Sequence, residues 1–135
     1  MTVVCCIENN MGISFGGRRV SRDVMVCSDL LQLCQGHTLY MAPTSVKLFA
    51  GLTGEEIISI SETIPECNED FYFYEGGPQD QFLLADRIIL YKWNRDYPSD
   101  LKLELDLSKY DLKETYEFPG NSHDLITRKI YERKS

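Results

Sequence analysis

At 135 residues the chain has room for one domain with one core, and 43% apolar residues are enough to fill it. A net charge of −7 argues against non-specific attraction to duplex nucleic acid or to an anionic membrane, because such binding draws its affinity from neutralising phosphates. Any anion has to be held by a local cluster of cations. No stretch approaches the ~18 apolar residues of a membrane span, and the N-terminus lacks the charged-then-apolar layout of a signal peptide, so the cytosol is the expected location. The five cysteines, Cys5, Cys6, Cys27, Cys34 and Cys67, show no C-x-x-C spacing and read as reduced core thiols. Cys34-x-x-His37 has the spacing of half a metal site, but with His123 as the other histidine a tetrahedral zinc site needs distant cysteines, so no metal and no cofactor is expected.

In chain order, the nearly continuous apolar run from Thr2 to Glu8 predicts a central strand covered on both faces. A turn at Asn9-Asn-Met-Gly12 leads to Ile13-Ser-Phe15, which extends or pairs with the sheet before Gly16-Gly17 breaks it. Ser21 is a suitable helix N-cap, with Asp23 in the first turn, and the helix runs to about Gln35 with Val24, Cys27, Leu31 and Cys34 on one side. A second strand spans His37 to Met41, and a short helical turn from Ser45 to Ala50 closes at Gly51. Thr53-Gly-Glu-Glu56 has the form of a capping box and predicts a helix carrying Ile57, Ile60 and Ile64. Phe71 to Tyr74 is a third strand, and Gln79 to Ala85 is a linker or short turn.

The stretch from Asp86 to Asp100 begins as a strand and breaks into a polar turn, where α/β proteins commonly place ligand-binding groups. Leu101, Leu103, Leu105 and Leu107 alternate with polar residues, as in a half-exposed strand. Leu112 to Phe118 predicts another strand, and Ser122 caps a last helix with Leu125, Ile126, Ile130 and Tyr131 as its buried stripe. The sum is a single α/β (α+β) domain over residues 1–135, with a mixed sheet of five to six strands and about four helices.

Four segments carry candidate chemistry. Arg18, Arg19 and Arg22 flank a glycine pair and a helix start, where guanidinium groups and free amides suit a phosphate; the plain alternative is a solvated basic edge. Ser45 and Lys47 could add a hydroxyl and an ammonium to an anion site. Trp93, Asn94, Arg95 and Tyr97, with Asp100 nearby, offer an amide, a guanidinium and aromatic faces that suit a nucleobase and its phosphate, or else form a self-bonded loop. Ser122 and His123 stand at the expected last helix, whose field favours a neutral imidazole able to accept or donate a proton. Ser122, His123 and Asp124 resemble a catalytic triad in composition only, since chain neighbours cannot adopt its geometry. Glu55, Glu56, Glu62, Glu66, Glu69 and Asp70 form an acidic stretch that is a solvated face or a mimic of nucleic-acid charge.

With these residues located, the chain resembles a family of small, largely uncharacterised bacterial proteins that share an Arg-Arg-x-Ser-Arg/Gln-Asp segment (here Arg18 to Asp23), a Pro-x-Ser-x-x-Leu-Phe segment (Pro43 to Phe49), a Tyr-x-Trp-Asn-Arg-x-Tyr-Pro-x-Asp segment (Tyr91 to Asp100) and a Phe-x-Gly-x-Ser-His-x-x-Ile-Thr segment (Phe118 to Thr127). The resemblance implies that the four polar segments converge on one site. A weaker similarity is to N-terminal nucleophile hydrolases, in which loss of Met1 would expose Thr2 as nucleophile. The expected function is binding of a phosphate-bearing small molecule, a nucleotide or nucleotide-derived signal, sequestered as by phage anti-defence proteins. A metal-independent phosphodiesterase or ribonuclease using His123 is the catalytic alternative, and an acidic protein-interaction inhibitor is the third. The expected partner is a nucleotide or other anionic small molecule, with neither duplex nucleic acid nor membrane, and self-association is left open.

Overall fold

Strand β1 (Thr2–Ile7) carries apolar side chains on both faces, and in the computed structural model, which describes residues 1–65, 69–80, 82 and 85–135, it forms the spine of the protein. It lies between β6 (Phe71–Tyr74) and β7 (Arg87–Lys92), parallel to both. Outside β6 come β4 (Leu39–Met41) and β5 (Ile58–Ile60), again parallel. Outside β7 come β10 (Ile126–Arg133) and β9 (Tyr110–Phe118), both pairings antiparallel. The result is a seven-stranded mixed sheet in the order β5-β4-β6-β1-β7-β10-β9, more strands and fewer helices than expected, in one α+β unit.

The two-residue period of a strand divides the core in two. Val4, Phe73, Ile89 and Tyr91 face helix α1 (Val24–Leu33), which buries Val26, Cys27, Leu30 and Leu31 against them. Val3, Cys5, Ile7, Tyr72, Ile88 and Leu90 face the other way, onto Phe82, Ala85, Leu103 and Tyr110. Leu30 and Leu31 are fully buried, and each such side chain stabilises the fold by roughly 1.5–3 kcal/mol. Burial also pushes the Cys27 and Cys34 thiols up to about 12, so they stay protonated. No helix among the described residues is long and apolar enough to cross a membrane.

Several expectations are corrected. The segment from Ile13 does not join the main sheet: β2 (Gly12–Phe15), β3 (Arg18–Arg19) and β8 (Leu101–Lys102) form a separate three-stranded sheet. The Gly16-Gly17 pair, with φ of 58° and 78°, makes the tight hairpin that pairs Phe15 with Arg18. The cap of α1 is Asp23, which accepts from the Met25 amide at 2.9 Å, not Ser21, and Val24 is exposed. The expected helix over Ile57, Ile60 and Ile64 is a 3-10 turn, Glu55–Ile57, running straight into β5. Thr53 makes no cap bond, Gly54 is left-handed at φ 95°, and the β-branched residues that follow prefer an edge strand beside β4.

The leucine alternation past Asp100 persists as alternating burial, but Leu101–Lys102 alone is laddered. The expected C-terminal helix is strand β10, inserted between β7 and β9, and its supposed stripe residue Leu125 is exposed. His123 therefore stands at no helix start. Thr2 lies buried in the ladder with its amide on the Asp70 carbonyl. Glu66 and Cys67, and part of the 79–85 segment, fall outside the described residues.

Candidate functional site

Strands β4 and β6 are parallel neighbours, so their carboxyl ends open on the same edge of the sheet. The chain leaves β4 toward β5 on one side and leaves β6 toward β7 on the other, which makes a crevice between the two exits. Ala42 and, on the 3-10 segment Pro43–Phe49 that it caps, Thr44, Ser45 and Lys47 line one wall, and Glu75 and Gly76, just past β6, line the floor. The second wall is the β2–β3 hairpin with its downstream loop, contributing Gly17, Arg18, Arg19, Ser21 and Arg22. The cleft has a volume of about 930 Å³.

Charge in the cleft runs opposite to that of the whole molecule. Arg18, Arg19, Arg22 and Lys47 line it against the single carboxylate of Glu75. Arg19 spans the opening and grips Glu75 with two 2.8 Å bonds, Nε to one oxygen and Nη2 to the other, while Nη2 also donates to the Thr44 carbonyl at 3.0 Å. Buried Ser45 donates to the same carboxylate at 2.6 Å. This neutralises Glu75, while the side chains of Arg18, Arg22 and Lys47 make no hydrogen bond among the described residues and remain available to an anion.

Beside the cleft lies a buried polar knot. Asp23 accepts from the amides of Met25, Asn121 and Ser122 at 2.9 Å, from the Ser122 hydroxyl at 3.2 Å, and meets His123 Nδ1 at 2.9 Å. Burial alone would raise the Asp23 carboxyl, but these bonds, led by that from the Asn121 amide, outweigh it and bring it down to about 2. An ionised Asp23 only accepts, so His123 presents a protonated Nδ1 to it, and its Nε2 faces the Ser21 and Tyr97 hydroxyls, 3.0 and 2.9 Å away. The imidazole stacks on Trp93 with centroids 4.7 Å apart. Gly120 is required here, because a Cβ would stand 2.6 Å from Asp23 Oδ2 and 2.7 Å from the His123 carbonyl.

Of the residues singled out from the sequence, Arg18, Arg19, Arg22, Ser45 and Lys47 meet around the one cleft. The Trp93 segment does not. Trp93 is buried under His123, Asn94 donates to the Leu125 carbonyl and to Thr127 Oγ1, Tyr97 is held by His123, and Asp100 accepts from the Gly16 amide. Arg95 lies outside the cleft lining, its carbonyl taken by the Asn9 amide. Ser122 and His123 belong to the knot, with the Ser122 hydroxyl also reaching the Arg22 carbonyl at 3.0 Å. Sequence reasoning gave Ser21 and Asp23 no individual role beyond the helix start and the Arg18–Asp23 segment, and passed over Glu75. The first two carried a signal as helix-start residues; Glu75 carried none, since its role is set by an arginine 56 positions away.

No family model matches the chain, and no curated protein matches its sequence. Among solved structures the fold is similar to dihydrofolate reductase from Enterococcus faecalis complexed with NADP(H) and RAB-propyl, with a TM-score of 0.68 and 10% identity over 99% of this chain and 96% of that one. That likeness overturns two functional expectations drawn from the sequence: the signal-sequestering anti-defence protein and the His123 phosphodiesterase or ribonuclease give way to a fold shared with a dihydrofolate reductase.

Proposed function

We propose that this protein is a reductase-type domain whose cationic cleft takes a nicotinamide dinucleotide of the NADP(H) kind. The observation that carries the reading is the cleft itself: three unpaired cationic side chains lining a cleft at the diverging exits of two parallel strands, in a fold shared with a protein complexed with NADP(H). The donor set fits the ligand. Arg22 and Arg18 suit bidentate contacts to phosphate oxygens, Lys47 adds a compact point charge, and the Thr44 hydroxyl can serve a ribose. Bound there, such a dinucleotide would supply hydride chemistry, while the chain supplies charge, orientation and, through the Arg19–Glu75 bridge, a fixed floor.

Calorimetric titration with NADPH and NADH tests this. NADPH binding that weakens about tenfold, or ~1.4 kcal/mol, in Arg22→Ala or Lys47→Ala, and that falls with salt, is the expected outcome. Absence of binding at millimolar NADPH, or binding indifferent to both substitutions, overturns the reading.

A further inference from the structure

The knot beside the cleft has an arrangement that a dinucleotide site does not need. Ser21 Oγ lies 3.0 Å from His123 Nε2, His123 Nδ1 lies 2.9 Å from Asp23 Oδ2, and three residues from two distant loops thereby form a hydroxyl, imidazole and carboxylate in series. The histidine and aspartate side chains are 1% and 0% exposed, whereas Ser21 is partly exposed and lines the cleft. Asp23 is fixed by amides of two segments, and Trp93 stacking fixes the ring plane. Such a series is what an activated serine requires: a base within reach of the hydroxyl and a third group that fixes the base's tautomer.

The geometry points to Ser21 as a nucleophile that accepts an acyl group from a small anionic ester entering the cleft. In the first half-reaction the Ser21 proton passes to His123 Nε2 as Oγ bonds to the ester carbonyl carbon. The bond from that carbon to the leaving oxygen then breaks, and the leaving group takes the proton from Nε2. Water repeats the sequence on the acyl-serine, giving a carboxylic acid and restoring Ser21. No oxidant, reductant or metal enters the balance. Asp23 is a positioning residue that acts through His123. An acyl portion carrying its own carboxylate is favoured, because Arg18, Arg22 and Lys47 line the same cleft. Tyr97 Oη lies 2.9 Å from the same Nε2 and 3.3 Å from Ser21 Oγ but is absent from the cleft lining, so in the acylation step the Ser21 proton turns from Tyr97 Oη to the shorter contact with Nε2.

This inference is independent of the dinucleotide reading, since NADPH binding and serine acylation are measured separately. The test incubates the full chain with the mono-p-nitrophenyl ester of glutaric acid and with p-nitrophenyl acetate, following p-nitrophenol release and locating any adduct by peptide mass spectrometry. The expected result is an acyl adduct on Ser21, formed faster from the glutarate ester, absent in Ser21→Ala and slowed roughly a hundredfold or more in His123→Gln. Asp23→Asn lowers the maximal acylation rate of folded protein while leaving the half-saturating ester concentration unchanged. Because Ser21 is partly exposed, Ser21→Ala keeps the fold even if the buried substitutions do not. No adduct, or one on Tyr97, Lys47 or a cysteine that persists in Ser21→Ala, overturns the assignment.

Discussion

The sharpest test of the buried knot is Asp23→Asn. The native carboxylate accepts from three amides, a hydroxyl and an imidazole, and it joins the start of α1 to the loop before β10 across about a hundred residues of chain. Asparagine keeps the volume but points an N–H pair at donors, so at least one buried donor loses its partner and the charge that strengthened the rest is gone. Breaking a buried charged network of this kind costs about 3–5 kcal/mol. Part of that loss is visible as pH dependence. The carboxyl sits at about 2 in the folded protein against ~3.9 in an unfolded chain, a difference worth roughly 2.5 kcal/mol. Since the folded value is depressed, this stabilisation is present above the unfolded value and is lost as pH falls through the folded one. Denaturant unfolding of both proteins should thus show a gap that narrows by about 1 kcal/mol between about pH 5 and pH 3. A gap that stays constant over that interval, or that is under about 1 kcal/mol at neutral pH, would refute the claim that Asp23 is held ionised by its neighbours.

Two further outcomes follow from the same geometry. Gly12→Ala would push a Cβ into Ser99 and the Glu8 carboxylate where the β2 strand passes the Ser99 loop, so unfolding should show a loss of at least about 1–3 kcal/mol, whereas Gly76→Ala, with open space around it, should stay near native stability. Glu75→Gln removes the one carboxylate of the cleft and frees Arg19, so NADPH should bind several-fold more tightly, an effect that fades in high salt; unchanged or weaker binding would mean that the Arg19–Glu75 bridge is itself part of the ligand surface.

How much could be read from the chain depended on whether a residue's partner was near it in sequence. Phe71–Tyr74 and the Ile88–Tyr91 run of β7 were recognisable because dense β-formers in doubly covered strands leave an unbroken apolar run. The basic segment from Arg18 and the Ser45–Lys47 turn were recognisable as cationic and polar segments, and the fold brings them to one cleft. The C-terminal segment was misread for an identifiable reason. Ile126, Arg128 and Ile130 share one face of β10, and the arginine hides the two-residue period; it belongs inside because Asp29 and Glu114 neutralise it at 2.6–2.7 Å while it lies 4.8 Å over the Tyr116 ring. The helix expected after Thr53 failed similarly, because the open edge of β4 offered Ile58–Ile60 a ladder that the cap signal could not outweigh.

By itself the sequence determined the materials: a chain long and apolar enough for one core, a central doubly covered strand, and a few cations concentrated in short polar segments of an otherwise acidic molecule. Only the tertiary structure decided which of these meet, placing Ser21 and Asp23 on His123, Glu75 under Arg19, and the Trp93 segment away from the cleft. The reason is range. Propensity and periodicity act over a few residues, whereas each of these contacts joins positions 56 to 102 apart, and such a contact forms only where strand order and register carry the two ends to the same edge of the sheet.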